Sequence, residues 1–271
     1  MRVIAALFIL AILASPAAGE QVEIQQGDIT LHAVLYRPQG SGPFPAVVAM
    51  HGCGGLADRA GPITPRFQEW GDRLMTAGFA VLFPDSFGSR ELGSQCRVRE
   101  RSVRASRELV EDAHAARLWL QGQPWVMADR VSLVGWSNGG TATLWTVRNA
   151  PAKPSPGPDF RSAVSFYPGC RELQTTGWSA RIPTLILVGA ADDWTPAAPC
   201  QQMVADARGR SALAKIITYP KAYHDFDRAN FPVRQSSGLA FTAGGSGTAH
   251  LGTNEAARAD ALKRVPEWLT R

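Results

Sequence analysis

Four short stretches hold the residue types needed for nucleophilic chemistry. Gly135-Trp136-Ser137-Asn138-Gly139-Gly140 follows the apolar run 131–134 and precedes a helical pattern. A serine in G-x-S-x-G on a strand-to-helix turn has a strained backbone that presents its hydroxyl, and the glycines leave room for neighbouring backbone. The following helix aims its N-terminal amides at the place where negative charge would develop. His51-Gly52-Cys53-Gly54-Gly55 closes the apolar run 46–50. A loop of that kind supplies one oxyanion-hole amide, and the residue after the nucleophile supplies the other. The expected donors are therefore the N–H groups of Cys53 and Asn138. The Cys53 side chain then has no chemical part, and His51 is expected to hold the loop.

An acid and then a histidine should follow the serine along the chain. Gly189-Ala190-Ala191-Asp192-Asp193-Trp194-Thr195-Pro196 comes straight after the apolar run 184–188. Asp192 or Asp193 could orient an imidazole there, with Asp192 preferred. Ala222-Tyr223-His224-Asp225-Phe226 follows the last strand-like run, which makes His224 the base. His32 in the opening strands, His114 inside a helical pattern and His250 far along a loop fit less well. The chemistry is attack of a serine oxygen on an acyl carbonyl.

The elements that must carry these residues alternate. Strands are expected at 22–26, 29–37, 46–50, 79–83, 131–134, 163–167, 184–188 and 215–219, and helices at 64–77, 102–120, 138–148, 197–208 and 255–269. The first two strands read as a hairpin through Gly27-Asp28. Pro65 at a helix start, the Thr195 cap with Pro196, and stops at Gly78 and Gly209 punctuate the pattern. Residues 231–252, rich in Gly and Ser, read as a loop, as do the proline-rich residues 151–158. Continuous apolar strands alternating with helices imply an α/β domain with a mostly parallel sheet.

Composition excludes several classes. At 45% hydrophobic and 19% charged, 271 residues can bury a core and are neither disordered nor collagen-like. The net charge of +5 gathers partly in Arg97, Arg99, Arg101, Arg104 and Arg107, but acids interleave and no aromatic lies within to stack bases, so no nucleic-acid partner is expected. Residues 1–19 have the order of an export signal: Arg2, an apolar run from Val3 to Ala14, then small residues, with cleavage expected after Ala18 or Gly19. The run falls short of the roughly 20 residues a spanning helix needs. A periplasmic or secreted protein with no membrane contact after cleavage is expected, and Cys53, Cys96, Cys170 and Cys200 then read as bridged.

HGCGG at 51–55, PDSFGSR at 84–90, GWSNGG at 135–140, GAADDWTP at 189–196 and AYHDFD at 222–227 together resemble the dienelactone hydrolase family of the α/β-hydrolases. The likeness spans nearly all of the chain after the leader. It implies a single domain over 20–271, with a mostly parallel sheet of about eight strands and helices on both faces. It also implies a Ser137–His224–Asp192 triad, no cofactor and no metal. The namesake lactone hydrolases carry Cys at the nucleophile position, where this chain has Ser137. In that fold the third and fourth strands are neighbours, and the pairing expected is Cys53–Cys96 and Cys170–Cys200. The expected substrate is a small ester or lactone, handled by a monomer. One or two of Trp136, Trp194 and Trp178 are expected to wall a substrate pocket, while Trp70, Trp119, Trp145 and Trp268 read as core or helix–sheet contacts. Arg90 could meet an anionic substrate or pair with a carboxylate. A polysaccharide deacetylating esterase, a polyester depolymerase and a non-catalytic binding protein of the same fold are the competing readings.

Overall fold

The computed structural model describes residues 19–149, 156–207 and 213–271. The expected leader up to residue 18, most of the proline-rich loop and the Gly209 stop lie outside the described residues.

The continuous apolar runs become the parallel strands. β1 (Glu20–Gln26) and β2 (Ile29–Tyr36) form the leading hairpin. They are followed by β3 (Phe44–Met50), β4 (Ala80–Pro84), β5 (Val126–Trp136), β6 (Ala163–Phe166), β7 (Thr184–Gly189) and β8 (Ala214–Tyr219). The eight make one sheet in the order β1-β2-β4-β3-β5-β6-β7-β8. β2 lies antiparallel to β1 and β4, and every pairing from β4 through β8 is parallel.

Both faces of the sheet are buried, which explains why these strands show no polar alternation. Ala46, Val48 and Met50 of β3 join the core on one side, and Val47 and Ala49 join the core on the other. The first side is covered by α2 (Glu108–Gln121), α3 (Asn138–Thr146) and α5 (Ala197–Ala207), the second by α1 (Pro65–Thr76) and α6 (Glu255–Leu269). A short α4 (Arg171–Thr175), not foreseen, follows β6.

Two further elements differ from expectation. α2 starts at Glu108 rather than at 102. Residues before it turn instead, because the Glu108 carboxylate accepts the Arg104 amide at 2.8 Å and the Val98 carbonyl accepts Arg101 Nε at 3.1 Å. The expected loop 231–252 contains a hairpin of β9 (Arg234–Ser237) and β10 (Thr248–Leu251). Its polar sequence RQSS carries no apolar alternation by which a strand is read.

The disulfides are Cys53–Cys96 and Cys170–Cys200, each joining segments that follow adjacent parallel strands.

Candidate active site

The site gathers at the carboxyl ends of β3, β5, β7 and β8, where open parallel sheets place their ligand crevice. Ser137 stands between β5 and α3 with φ 53° and ψ −112°, a conformation costing on the order of 1–3 kcal/mol that surrounding contacts must hold. Its amide donates to the Phe166 carbonyl at 2.9 Å, and its carbonyl accepts the Thr141 amide at 2.8 Å. A Cβ on Gly135 would stand 2.2 Å from the Gly139 carbonyl oxygen, and one on Gly139 would stand 2.2 Å from that of Met50. The glycines therefore let strand, turn and helix meet.

The structure brings Ser137, His224 and Asp192 together. His224 Nε2 lies 2.9 Å from Ser137 Oγ, and His224 Nδ1 lies 2.8 Å from Asp192 Oδ2. Asp192 is turned inward by the amides of Trp194 and Thr195, which donate to its Oδ1 at 2.9 and 2.8 Å. Thr195 Oγ1 sits 3.0 Å from His224 Nδ1 and donates to the Tyr167 carbonyl at 3.0 Å. Asp193 points away to His250, accepting from its amide and facing Nδ1, both at 2.7 Å. His250, which lies in β10 and not on the loop expected for it, thereby ties the β9–β10 hairpin to the loop after β7. Burial opposes charge on His224, but the field and hydrogen bond of Asp192, with Asp225 behind, outweigh it and raise its pKa above 6.5.

Behind the imidazole lies a buried polar network that sequence reasoning missed. Asp227 accepts Trp70 Nε1 at 2.8 Å, Trp136 Nε1 at 3.0 Å and Tyr167 Oη at 2.5 Å. Arg66 donates to Tyr167 Oη at 2.7 Å and to Asp225 at 2.6 Å. Burial opposes the Asp225 charge, yet Arg66 and His224 bring its pKa down to about 2. The Tyr167 ring packs 4.5 Å from that of His224. The AYHDFD segment held the signal, since two further acids so close to a buried histidine need partners.

The loop after β3 sits against Ser137. Cys53 is tied by its disulfide to Cys96, and its carbonyl accepts the Gln95 amide at 2.7 Å. Asn138 opens α3, so its N–H has no acceptor within the helix. A cleft of about 630 Å³ opens over Ser137, Cys53, Asn138, Trp194, Arg101 and Phe241. Arg101 reaches the Asn138 side-chain oxygen at 3.0 Å and lies 4.9 Å over the Phe241 ring. Phe241 is 55% exposed, so an aromatic face stands open to solvent at the cleft.

Three expected pocket residues are elsewhere, and a fourth tryptophan is added. Trp136 points to the opposite face of the sheet, stacked on Phe166 with ring centroids 5.3 Å apart. Trp178 is buried, its Nε1 on the Leu144 carbonyl. Arg90 is held by both Asp112 oxygens at 2.9 and 2.7 Å and by the Ser86 carbonyl, and it does not line the cleft. Trp145 packs against the core, as expected, and also lines the cleft. No group of three or more His, Cys, Asp and Glu among the described residues could hold a metal.

The model of the dienelactone hydrolase family matches residues 31–271. No curated protein matches. A Klebsiella pneumoniae structure assigned as a dienelactone hydrolase is 18% identical with a TM-score of 0.69, covering 93% of this chain and 98% of its own. A dienelactone hydrolase-like promiscuous phosphotriesterase from metagenomic libraries is 20% identical with a TM-score of 0.68, covering 94% and 98%. Thermogutta terrifontis esterase 2, phosphoramylated by tabun, is 17% identical with a TM-score of 0.66, covering 96% and 97%. At these identities the likeness shows a shared fold.

Proposed function

This chain belongs to the dienelactone hydrolase family, and from that premise we propose that it is an exported serine hydrolase cleaving carboxylic ester or lactone bonds of small substrates. The observation that carries the reading is the hydrogen-bonded line from Asp192 through His224 to Ser137. His224 Nε2 takes the hydroxyl proton as Ser137 Oγ bonds to the carbonyl carbon. The Cys53 and Asn138 amides receive the oxyanion. The tetrahedral adduct collapses, the alkoxide leaves with the proton from His224, and an acyl-serine remains. Water then gives a proton to the same imidazole as it attacks the acyl carbon, and the second adduct collapses by breaking the bond to Ser137 Oγ, which takes that proton back from His224 as the acid leaves. Asp192 stays ionised throughout and fixes the Nδ1–H tautomer.

Export rests on the apolar leader, and the two disulfides are compatible with it. β1 begins at Glu20, directly after the proposed cleavage region, which supports residues 20–271 as the working domain. Among the described residues no helix is long and apolar enough to cross a membrane. Thermogutta terrifontis esterase 2 is also known phosphorylated by paraoxon, which suggests a useful probe, since a nucleophilic Ser137 should be labelled by such an organophosphate.

The test is a panel of esters and lactones of graded acyl size, run on the wild type and on Ser137→Ala. Turnover by the wild type and its near-complete loss in a folded variant support the reading. A folded Ser137→Ala protein that keeps most of the activity removes it. A wild type that turns over none of the panel and takes no label at Ser137 favours a non-catalytic binding role.

A further inference from the structure

His51 is 1% exposed at the start of the loop after β3, and both its ring nitrogens are engaged. The Ser86 amide donates to Nε2 at 3.1 Å. A backbone N–H can only donate, so Nε2 is bare and the ring proton is on Nδ1. Nδ1 lies 2.8 Å from the Gly52 carbonyl oxygen and donates to it. Burial lowers the imidazole's pKa against the opposing pull of the Gly52 carbonyl, Asp85 and Asp112, and the ring stays neutral.

The Gly52 carbonyl shares its peptide plane with the Cys53 N–H. The Gly55 amide donates to the same carbonyl at 3.1 Å. Two donors on one carbonyl draw electron density through the amide and leave its N–H more positive. That plane abuts the nucleophile: a Cβ on Gly52 would stand 3.3 Å from the Trp136 carbonyl oxygen and 3.4 Å from Ser137 Cβ. The far side of Cys53 is fixed by Cys96 and by Gln95.

We propose that His51 is a positioning residue of the oxyanion hole, whose Nδ1–H holds and polarises the Gly52–Cys53 peptide so that the Cys53 N–H donates to the oxyanion. This rests on the hydrolase reading and on Cys53 as a donor. His51 touches no reacting atom; it acts through one peptide bond.

Two variants separate the ring's two hydrogen bonds. In His51→Gln the longer amide reaches the Ser86 N–H but not the Gly52 carbonyl. In His51→Asn the amide stands where Nδ1 stood and still donates to Gly52. The probes are an ester and its thionoester, whose large sulfur gains little from oxyanion donors. For His51→Gln, kcat on the ester should fall about 10- to 100-fold, less than the roughly 10²–10³-fold that follows outright loss of one such donor, because the Cys53 N–H is displaced and not removed. The thionoester should lose much less, with KM little moved for both. His51→Asn should keep the wild-type ester-to-thionoester ratio.

Equal losses on both probes in His51→Gln, or identical behaviour of the two variants, overturns the proposal and leaves the hydrolase reading intact. A wild type without turnover or fluorophosphonate adduct on Ser137 overturns the hydrolase reading, and this proposal with it. If neither variant folds, ¹⁵N spectra of histidine-labelled wild type carry the test. A neutral His51 protonated on Nδ1 supports the proposal, and one protonated on Nε2 overturns it.

Discussion

Replacing Asp192 by Asn separates activity from stability, because the site can accept the amide without strain. The amides of Trp194 and Thr195 both donate to Oδ1, so an asparagine must place its oxygen there. Its NH2 then occupies the Oδ2 position, 2.8 Å from His224 Nδ1 and 3.1 Å from Thr195 Oγ1. Thr195 can accept one of those protons while giving its own to the Tyr167 carbonyl, 3.0 Å away. The other proton points at His224 Nδ1, which must become the acceptor. The ring proton is thereby forced onto Nε2, where it faces Ser137 Oγ and cannot receive the hydroxyl proton. A wrong tautomer of this kind costs about 10⁴ in kcat, or roughly 5.5 kcal/mol of transition-state stabilisation. Every hydrogen-bonding group keeps a partner, so the urea midpoint should move little. Asp193→Asn is the paired control. It loses only a half-exposed contact to His250, worth about 0–1 kcal/mol, and its rate should stay near wild type. Initial rates on an activated ester, with unfolding followed by circular dichroism, read both effects. An Asp192→Asn protein within about tenfold of wild type, or an Asp193→Asn protein as impaired, refutes the reasoning.

The raised pKa of His224 sets the acid limb of kcat/KM above pH 6.5, because the base must be neutral to act; a limb centred below that value contradicts it. The same shift stabilises the fold fully below pH 6.5, and that contribution is lost as pH rises through the folded value, which urea midpoints against pH will show. Cys53→Ser with Cys96→Ser opens a link spanning 43 residues and should cost about 4 kcal/mol by chain entropy. Cys170→Ser with Cys200→Ser, spanning 30, should cost about 3.6 kcal/mol, and only the first pair should also lower kcat in the folded protein. Arg90→Ala leaves the fully buried Asp112 carboxylate unpaired and should destabilise by about 3–5 kcal/mol, while KM for neutral esters stays unchanged.

The positions of Ser137, the loop from His51 and His224 at the ends of their strands were legible because each belongs to an order fixed by the turn chemistry and the strand that precedes it. The parallel strands were legible because burial on both faces leaves unbroken apolar runs. Asp192 and Asp193 could not be separated by type, since the difference lies in two backbone amides that fold one of them inward. Trp136 was misplaced by its closeness in sequence to Ser137. It ends β5, and the sharp turn that lifts Ser137 leaves it on the α1 side, where Trp70 and Phe67 wait. Arg90 was ambiguous until α2 brought Asp112 beneath it. The Asp227 network escaped notice because its partners come from positions 66, 70, 136 and 167, which only the fold assembles.

The central claim is that Ser137 is the nucleophile, and covalent trapping tests it directly. The wild-type protein is incubated with paraoxon or a fluorophosphonate, and the adduct is located by peptide mass mapping. One stoichiometric adduct on Ser137, rising together with loss of esterase activity, is the predicted result. Full inactivation with the adduct on another residue, or ester turnover that persists with Ser137 fully modified, would contradict it.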